Sequence, residues 1–174
     1  MEQVGYDTYC KLLDEVIKES KGIKVEEETD ITIDINVSSY IPNEYISDNS
    51  QKIDVYQKIA LCKTNDDIKN IIEDITDRYG KMPKEMMSLI SIAEIKGLCK
   101  NVGITKIVQK QNKIIYNFEP NNFEFDVQEL TKKYKDRIKF SSSIKPYITY
   151  TLSNPNNVIE EVKEFLNDNN KQRQ

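Results

Sequence analysis

The sequence predicts an α+β fold, with a helical first half that contains one early strand, then a mixed half with an antiparallel sheet and a C-terminal helix. Segments with apolar residues at three-four spacing dominate the first 103 residues, which is typical of amphipathic helices. Short alternating segments follow Gly103, which is typical of paired strands. Gly and Pro number only 5 each among 174 residues, so long irregular loops are few.

The first elements are a helix, an acidic linker and a strand. Residues 5–20 predict a helix, because the apolar side chains share one face and Gly22 is placed to end it. Residues 24–30 are mostly acidic and indicate an exposed linker. Residues 31–37 alternate isoleucine or valine with polar residues, which predicts a half-buried strand.

Three further helices complete the first half. Residues 50–63 predict a helix that buries Ile53, Tyr56, Ile59 and Ala60. The next helix begins near Thr64 or Asn65 as N-cap and ends at Tyr79, with Gly80 as C-cap. The fourth helix opens at Pro83 and reaches about Val102. It carries apolar residues on more than one side, so we expect it to pack against several partners at the centre of the domain.

The second half predicts two hairpin-type pairings and two helices. The expected strands are residues 104–109, 113–118, 137–141 and 147–152, and the expected helices are residues 126–134 and a last helix capped by Asn156 or Asn157. That last helix buries Val158, Val162, Phe165 and Leu166. We predict a single domain over residues 1–174, with a helical part to 103, a mixed part over 104–168 and a frayed polar tail over 169–174.

Composition narrows the class of protein. The net charge is -4, whereas a domain that binds duplex DNA alone usually carries surplus Lys and Arg, so no direct duplex DNA binding is expected. The 3 Cys (Cys10, Cys62 and Cys99) lie in apolar patterns, without a Cys-x-x-Cys pair, which favours buried thiols in a reduced compartment. No apolar run approaches the roughly 20 residues that span a membrane. We therefore expect a cytoplasmic chain with no membrane partner.

The sequence contains no recognisable catalytic motif. It has no His, no Gly-rich phosphate loop and no Gly-x-Ser-x-Gly elbow, and its acidic runs are typical of solvated surface. We therefore predict no catalytic residues, no cofactor and no metal site in this chain. A small enzyme without His stays an alternative, which a deep pocket with two or more convergent acids would favour.

An aromatic cluster in the second half offers another function. Tyr116, Phe118, Phe123 and Phe125 lie close together in the sequence, near several lysines. On an open sheet such rings could stack single-stranded bases, so a single-stranded nucleic-acid-binding module is the alternative function. In a chain without Trp the same rings are also needed for the core, which is the interpretation we favour.

The polar side of the third helix is acidic. At about 100° per residue, Asp66, Glu73, Asp74 and Asp77 lie opposite the apolar side. This arrangement fits either ordinary solvation, with Asp74 and Arg78 as an i,i+4 pair, or a docking surface for a basic partner. Composition alone favours solvation.

Four segments, which form three blocks in chain order, resemble the C-terminal domain of the transcription-repair coupling factor family. They are residues 4–13 (VGYDTYCKLL), residues 41–46 (IPNEYI) followed by residues 56–60 (YQKIA), and residues 74–83 (DITDRYGKMP). The third block is the most specific, because the family pattern there is an acid, two residues, Asp-Arg-aromatic-Gly, two residues and Pro. The matching blocks cover residues 4–105.

The resemblance implies a regulatory function inside a larger protein. The family's full-length protein is an ATP-dependent DNA translocase that displaces stalled RNA polymerase and recruits the excision-repair protein UvrA. ATP and Mg belong by resemblance to that parent chain. The C-terminal domain packs against the N-terminal UvrA-binding module of the same protein and masks it, which makes that module the expected partner.

The resemblance also assigns roles to residues. The acidic positions of the motif correspond to Asp74 and Asp77, which would face basic residues of the module; Asp74 stands where the family usually has Glu, one methylene longer. The remaining motif residues are expected to be structural. Arg78 orients Asp74, Tyr79 closes the apolar face, Gly80 permits a left-handed cap and Pro83 sets the start of the next helix.

Overall fold

The structure, a computed structural model, describes residues 30–121 and 125–171. The helix predicted over residues 5–20, its Cys10, nearly all of the acidic linker and Phe123 lie outside the described residues. The elements in chain order are β1 (Thr32–Asp34), α1 (Asn49–Ala60), α2 (Asn65–Tyr79), α3 (Lys84–Val102), β2 (Ile104–Lys110), β3 (Lys113–Phe118), α4 (Val127–Tyr134), β4 (Ile138–Ser141), β5 (Tyr147–Thr151) and α5 (Val158–Lys171).

The chain divides into two compact units, and the division falls inside α3. The first unit holds residues 38–94 of the described chain, with α1, α2 and the beginning of α3. The second unit holds residues 30–37 and 95–171, with the sheet, α4, α5 and the end of α3. The helical first half and the mixed second half are therefore confirmed. The early strand β1, however, belongs to the unit formed by the second half.

In the first unit, helix α1 begins at a capping side chain and buries one apolar face. The Asp48 side chain accepts a hydrogen bond from Gln51 N and caps α1, which buries Val55, Tyr56 and Ile59. Ile53 is 40% exposed and Ala60 is exposed, so the predicted buried face of α1 is wrong at both positions. Val55 takes an inward position instead, because at about 100° per residue the buried face of α1 is rotated by roughly 65° from the predicted one.

Helix α3 is apolar around much of its circumference, as predicted. Its buried residues lie on several sides of the helix: Met86, Leu89, Ile90, Ile92, Ala93, Ile95, Cys99 and Val102. The carbonyl of Pro83 accepts a hydrogen bond from Met87 N at 3.1 Å, so Pro83 immediately precedes the first helical residue. No helix of the described residues is both long enough and apolar enough to cross a membrane.

The second unit is built on a five-stranded mixed sheet in the order β1-β2-β3-β5-β4. Strands β2 to β5 are antiparallel neighbours, as predicted, but β1 pairs in parallel with β2, Ile33 opposite Ile107. The sequence pattern identifies a half-buried strand at β1 without identifying its partner. That partner is distant in the sequence: Asn36 N donates to Gln109 Oε1, 73 residues away, at 2.8 Å.

Helix α5 covers one face of the sheet and runs further than expected. Val158, Val162, Phe165 and Leu166 are buried, as predicted. The helix continues to Lys171, which corrects the tail predicted to fray from residue 169. Asn169 is only 3% exposed and its amide donates to the Phe165 carbonyl, so this polar residue is held inside the fold.

Candidate functional site

The capping box at the start of α2 and the apolar residues that the helix buries determine which of its side chains face solvent. The predicted acidic residues are among these exposed side chains. Thr64 Oγ1 accepts from Asp67 N at 3.1 Å, and Asp67 Oδ2 accepts from Thr64 N at 2.9 Å, which completes a capping box. Lys63 N also donates to Asp67 Oδ2, at 3.0 Å, and the backbone hydrogen bonds from Lys63 and then from Thr64 lower the pKa of Asp67. The helix buries Ile68, Ile71 and Ile75, so its opposite side faces solvent.

The four acidic residues on that side, which we call the acidic ridge, are all exposed: Asp66, Glu73, Asp74 and Asp77. Asp66 lies 3.8 Å from Lys69 Nζ and its side chain is 88% exposed, a geometry that contributes little to stability. At about 100° per residue Asp66, Glu73 and Asp77 fall on one line along the helix, and Asp74 is offset from Asp77 by about 60°.

Asp74 faces helix α1, where it has a partner that the sequence did not reveal. Lys58 Nζ lies 3.7 Å from Asp74 and 3.3 Å from Asp54, so one lysine bridges two carboxylates. These side chains are about half exposed (43% for Lys58, 51% for Asp74 and 52% for Asp54). Because Lys58 lies on another helix, no local spacing rule could have identified it.

Arg78 does not orient Asp74 in the described part of the chain, which corrects the predicted i,i+4 pair. Its guanidinium carbon lies 5.2 Å from the ring centroid of Tyr79, a cation–π distance. The ion pair recorded for Asp74 is with Lys58. Arg78 thus contacts the Tyr79 ring, and Asp74 pairs with Lys58 of α1, in place of the predicted Asp74–Arg78 pair.

The end of α2 is fixed by two tyrosines. Tyr79 is half-buried, its ring lies 6.0 Å from that of Tyr45, and its hydroxyl donates to Gln51 Oε1 at 3.2 Å. Tyr45 donates its hydroxyl to the Gly80 carbonyl at 2.7 Å. Burial raises the pKa of Tyr45, and Tyr79 raises it further, so the hydroxyl stays protonated and can donate.

Gly80 has positive φ, as a C-cap glycine should, but its conformation is not the predicted left-handed helical one. With φ 84° and ψ −162° it is in a region that is essentially restricted to glycine. Its N–H donates to the Thr76 carbonyl at 2.9 Å and closes the last turn of α2. The chain then runs into a surface groove of about 590 Å³, whose lining includes Tyr40, Pro42, Tyr45, Met82 and Pro83.

Two residues of the predicted aromatic cluster, Tyr116 and Phe118, lie in the core instead of on an open surface. Tyr116 is fully buried and stacks on Phe165 at 4.3 Å between ring centroids. Phe118 is 3% exposed and forms an edge-to-face pair with Phe125, with 4.7 Å between the ring centroids. The faces of Tyr116 and Phe118 are therefore closed to nucleic-acid bases.

No group of three or more potential metal ligands occurs among residues 30–121 and 125–171. The thiol of Cys99 is buried within α3, and burial raises its pKa. Cys62 is half-buried; its pKa is also raised, first by burial and then by the charge of Asp67. Both thiols are therefore protonated at neutral pH and behave as small apolar groups.

Comparison with protein families and solved structures gives one consistent result. The family model described as the TRCF domain matches residues 35–130 of this chain. The match includes the motif at residues 74–83 and extends past residue 105, where the recognisable blocks end. Residues 4–13 lie outside it.

Curated relatives and a solved structure agree. A transcription-repair-coupling factor of Staphylococcus aureus (strain USA300) is 35% identical over 117 residues, and one of Staphylococcus haemolyticus is 32% identical over 116 residues. Each alignment covers 66% of this chain and 10% of the relative, so the chain corresponds to a small part of those proteins. A crystal structure of the C-terminal domain of a transcription-repair coupling factor has the same fold, with a TM-score of 0.63 and 21% identity over 83% of this chain and 96% of that one.

Proposed function

The chain belongs to the transcription-repair-coupling factor family, and from that premise we propose that it is a non-catalytic regulatory domain that docks on the UvrA-binding module of its own parent protein. Docking masks the surface that would otherwise bind UvrA. The parent would be an ATP-dependent DNA translocase of the cytoplasm that displaces stalled RNA polymerase. ATP and Mg would be bound elsewhere in that parent, because this chain has no phosphate-binding loop.

The exposure of the acidic ridge is the observation that carries this proposal. Four carboxylates stand on one side of α2, and Glu73 and Asp77 have no ion-pair partner within the described residues. A row of such charges raises the encounter rate with a basic surface and fixes the orientation of the complex. The Tyr79–Gly80 turn and Pro83 hold α2 in place relative to the loop that follows it.

Asp74 is expected to act differently from Asp77. Lys58 already neutralises part of the Asp74 charge, whereas Asp77 has no ion pair within the described residues and can meet a cationic side chain of the module. If the module offers a basic residue to Asp74, Lys58 must share the carboxylate or move aside. We therefore expect Asp77 to contribute more to docking than Asp74.

The test is UvrA capture by the full-length parent in the absence of stalled polymerase. Replacing both residues (Asp74→Ala and Asp77→Ala) should increase capture, because the module is less often masked, and reversal of both to Lys should increase it further. Removing one partner of a desolvated charge pair costs about 2–5 kcal/mol, whereas a pair at the rim costs far less. Stability should change by no more than about 0.5 kcal/mol, since both sites are exposed.

The control variant removes two exposed carboxylates of the second unit, Asp136→Ala with Glu160→Ala. It has the same change in net charge and should leave UvrA capture at the wild-type level. Equal capture by the wild type and the Asp74/Asp77 variant, at equal melting temperature, would show that the acidic ridge is only a solvated surface.

A further inference from the structure

The sheet of the second unit has two faces, and the strand register assigns each side chain to one of them. Ile107, Tyr116 and Ile148 are mutual partners across β2, β3 and β5, and their face is the covered one. Phe165 of α5 stacks on Tyr116, and Tyr134 of α4 meets the ring of Tyr150 on the same face at 5.4 Å. The residues between these positions point to the opposite side.

That opposite side, which we call the lysine face, has cations around a small apolar centre. The register places on it Lys106, Lys110, Lys113, Lys139, Val108 and Ile115. The lysines are exposed, while Val108 and Ile115 are opposite each other and half-buried. Lys106 and Lys110 are about 13 Å apart along β2, and β4 with Lys139 lies about 14 Å across the sheet from β2. The cations thus frame the apolar pair.

The lysine face is strongly positive in a chain whose net charge is -4. None of its lysines has an ion pair with a carboxylate of the described residues, and the acidic residue that the register adds to the face is Asp34 on the edge strand β1. Lys110 and Lys113 are directly opposite each other at the end of the β2–β3 hairpin. Like charges in that position repel, so a bound anion there would be stabilising.

We propose that the lysine face binds single-stranded nucleic acid. Phosphates would contact the lysines, and bases would lie over Val108 and Ile115 and against Tyr147, which is on the same face and 38% exposed. A protein partner fits less well, because lysine is depleted from the centres of protein–protein interfaces. A flexible single strand can follow a twisted sheet, whereas a straight duplex touches it along one line.

This site differs from the aromatic cluster considered in the sequence. The alternation of β3 turns Tyr116 and Phe118 into the core and turns Lys113 and Ile115 outward. The acidic ridge takes no part in the lysine face, so a failure of this inference leaves the proposed docking function unaffected, and the reverse is also true.

The experiment measures binding of the chain to a labelled single strand of about 20 thymidine nucleotides by fluorescence anisotropy. For single strands the logarithm of affinity falls by about 0.7 per phosphate contact for each tenfold rise in salt. Four contacts therefore predict a loss of about 50-fold between about 50 and 200 mM salt. Lys110→Gln with Lys113→Gln should weaken binding several-fold at low salt and reduce that loss to about 7-fold.

A second pair, Lys106→Gln with Lys139→Gln, should weaken binding and reduce its salt dependence in the same way. Because the two pairs change different residues, agreement between them would show that the effect does not come from a folding defect of the first pair. The matched control is Lys63→Gln with Lys84→Gln, two exposed lysines of the first unit, and it should retain wild-type affinity and salt dependence. The inference is wrong if the wild type does not bind at low salt, or if the control weakens binding as much as the test pairs. Equal binding of a duplex, or equal competition by poly-glutamate, would also overturn it.

Discussion

Gly80 follows the last residue of α2 with φ 84° and ψ −162°, and its carbonyl accepts the Tyr45 hydroxyl. The sequence indicated a positive φ here, since glycine after a helical pattern usually caps it. The value of ψ could not be predicted, because it depends on where Tyr45 and the following loop lie. The exposure of Asp74 could likewise be predicted from the helical periodicity. Its ion pair with Lys58 could not be predicted, because that contact depends on how α1 and α2 pack.

Replacing Gly80 with Ala should destabilise the chain by about 1–3 kcal/mol, the usual cost of an unfavourable backbone conformation. A Cβ at this position would meet no atom within 4 Å, so the whole effect would come from the backbone. Urea unfolding followed by circular dichroism measures it. The neighbouring Lys81→Ala serves as control and should shift stability by less than about 0.5 kcal/mol. An equal shift for both variants would mean that the turn tolerates a side chain at this φ.

The bounds of individual helices and strands could be predicted well where they depend on residues within or next to the element. The strand Lys113–Phe118 and the helix ending at Tyr134 match their sequence patterns, and the capping box places the start of α2. The features that could not be predicted from the sequence are contacts between elements. The parallel pairing of β1 with β2 and the continuation of α5 to Lys171 both depend on partners that no local pattern contains.

One such contact is made by the buried carboxylate of Glu161 on α5. It accepts hydrogen bonds from β5, from the loop that follows β5 and from the turn that precedes β4. Arg137 Nη2 donates to Glu161 at 2.9 Å, the Tyr150 hydroxyl donates at 2.7 Å, and Ser153 N and Asn154 N donate at 3.0 and 2.8 Å. Burial by itself raises the pKa of Glu161. The hydrogen bonds from Ser153, Tyr150 and Asn154 outweigh it, so the pKa of this carboxyl lies below its usual value of 4.5.

Glu161→Gln should destabilise the chain by about 3 kcal/mol at neutral pH, because the amide nitrogen cannot accept the bonds that the carboxylate accepts. Since the folded pKa is depressed, the contribution of Glu161 is fully present above about pH 4.5 and is lost as pH falls through the folded pKa. The difference between wild type and variant should therefore shrink in acid. Urea unfolding at about pH 7 and about pH 3 tests this, with the exposed Glu160→Gln as control. A constant difference at both pH values would contradict it.

At the scale of the whole molecule, the chain corresponds to a tenth of the length of its curated relatives. The family assignment rests on the segment from residue 35 to 130, which includes parts of both compact units. The sequence alone supports the fold class and the family. The proposed roles of the two surfaces, the acidic ridge on α2 and the lysine face of the sheet, depend on which side chains the fold leaves exposed.

The chain by itself should neither bind nor hydrolyse ATP, because its glycines are isolated and form no phosphate cradle. A coupled phosphate-release assay on the purified chain should give the rate of the buffer blank. Turnover that follows the chain through successive purification steps would refute this expectation. Titration with a fluorescent ATP analogue checks binding separately from turnover.

The pairing of β1 with β2 also has a consequence for how the chain folds during synthesis. The first unit is inserted between β1 and the rest of the second unit, so β1 leaves the ribosome long before its partner exists. Closing a loop of the 73 residues that separate Asn36 from Gln109 costs about 4 kcal/mol in chain entropy. A three-residue strand offers little in return until the β2–β3 hairpin is formed. Among the strands of the described residues, β1 is translated first but is therefore among the last to be fixed, and the first unit has time to fold before β1 pairs with β2.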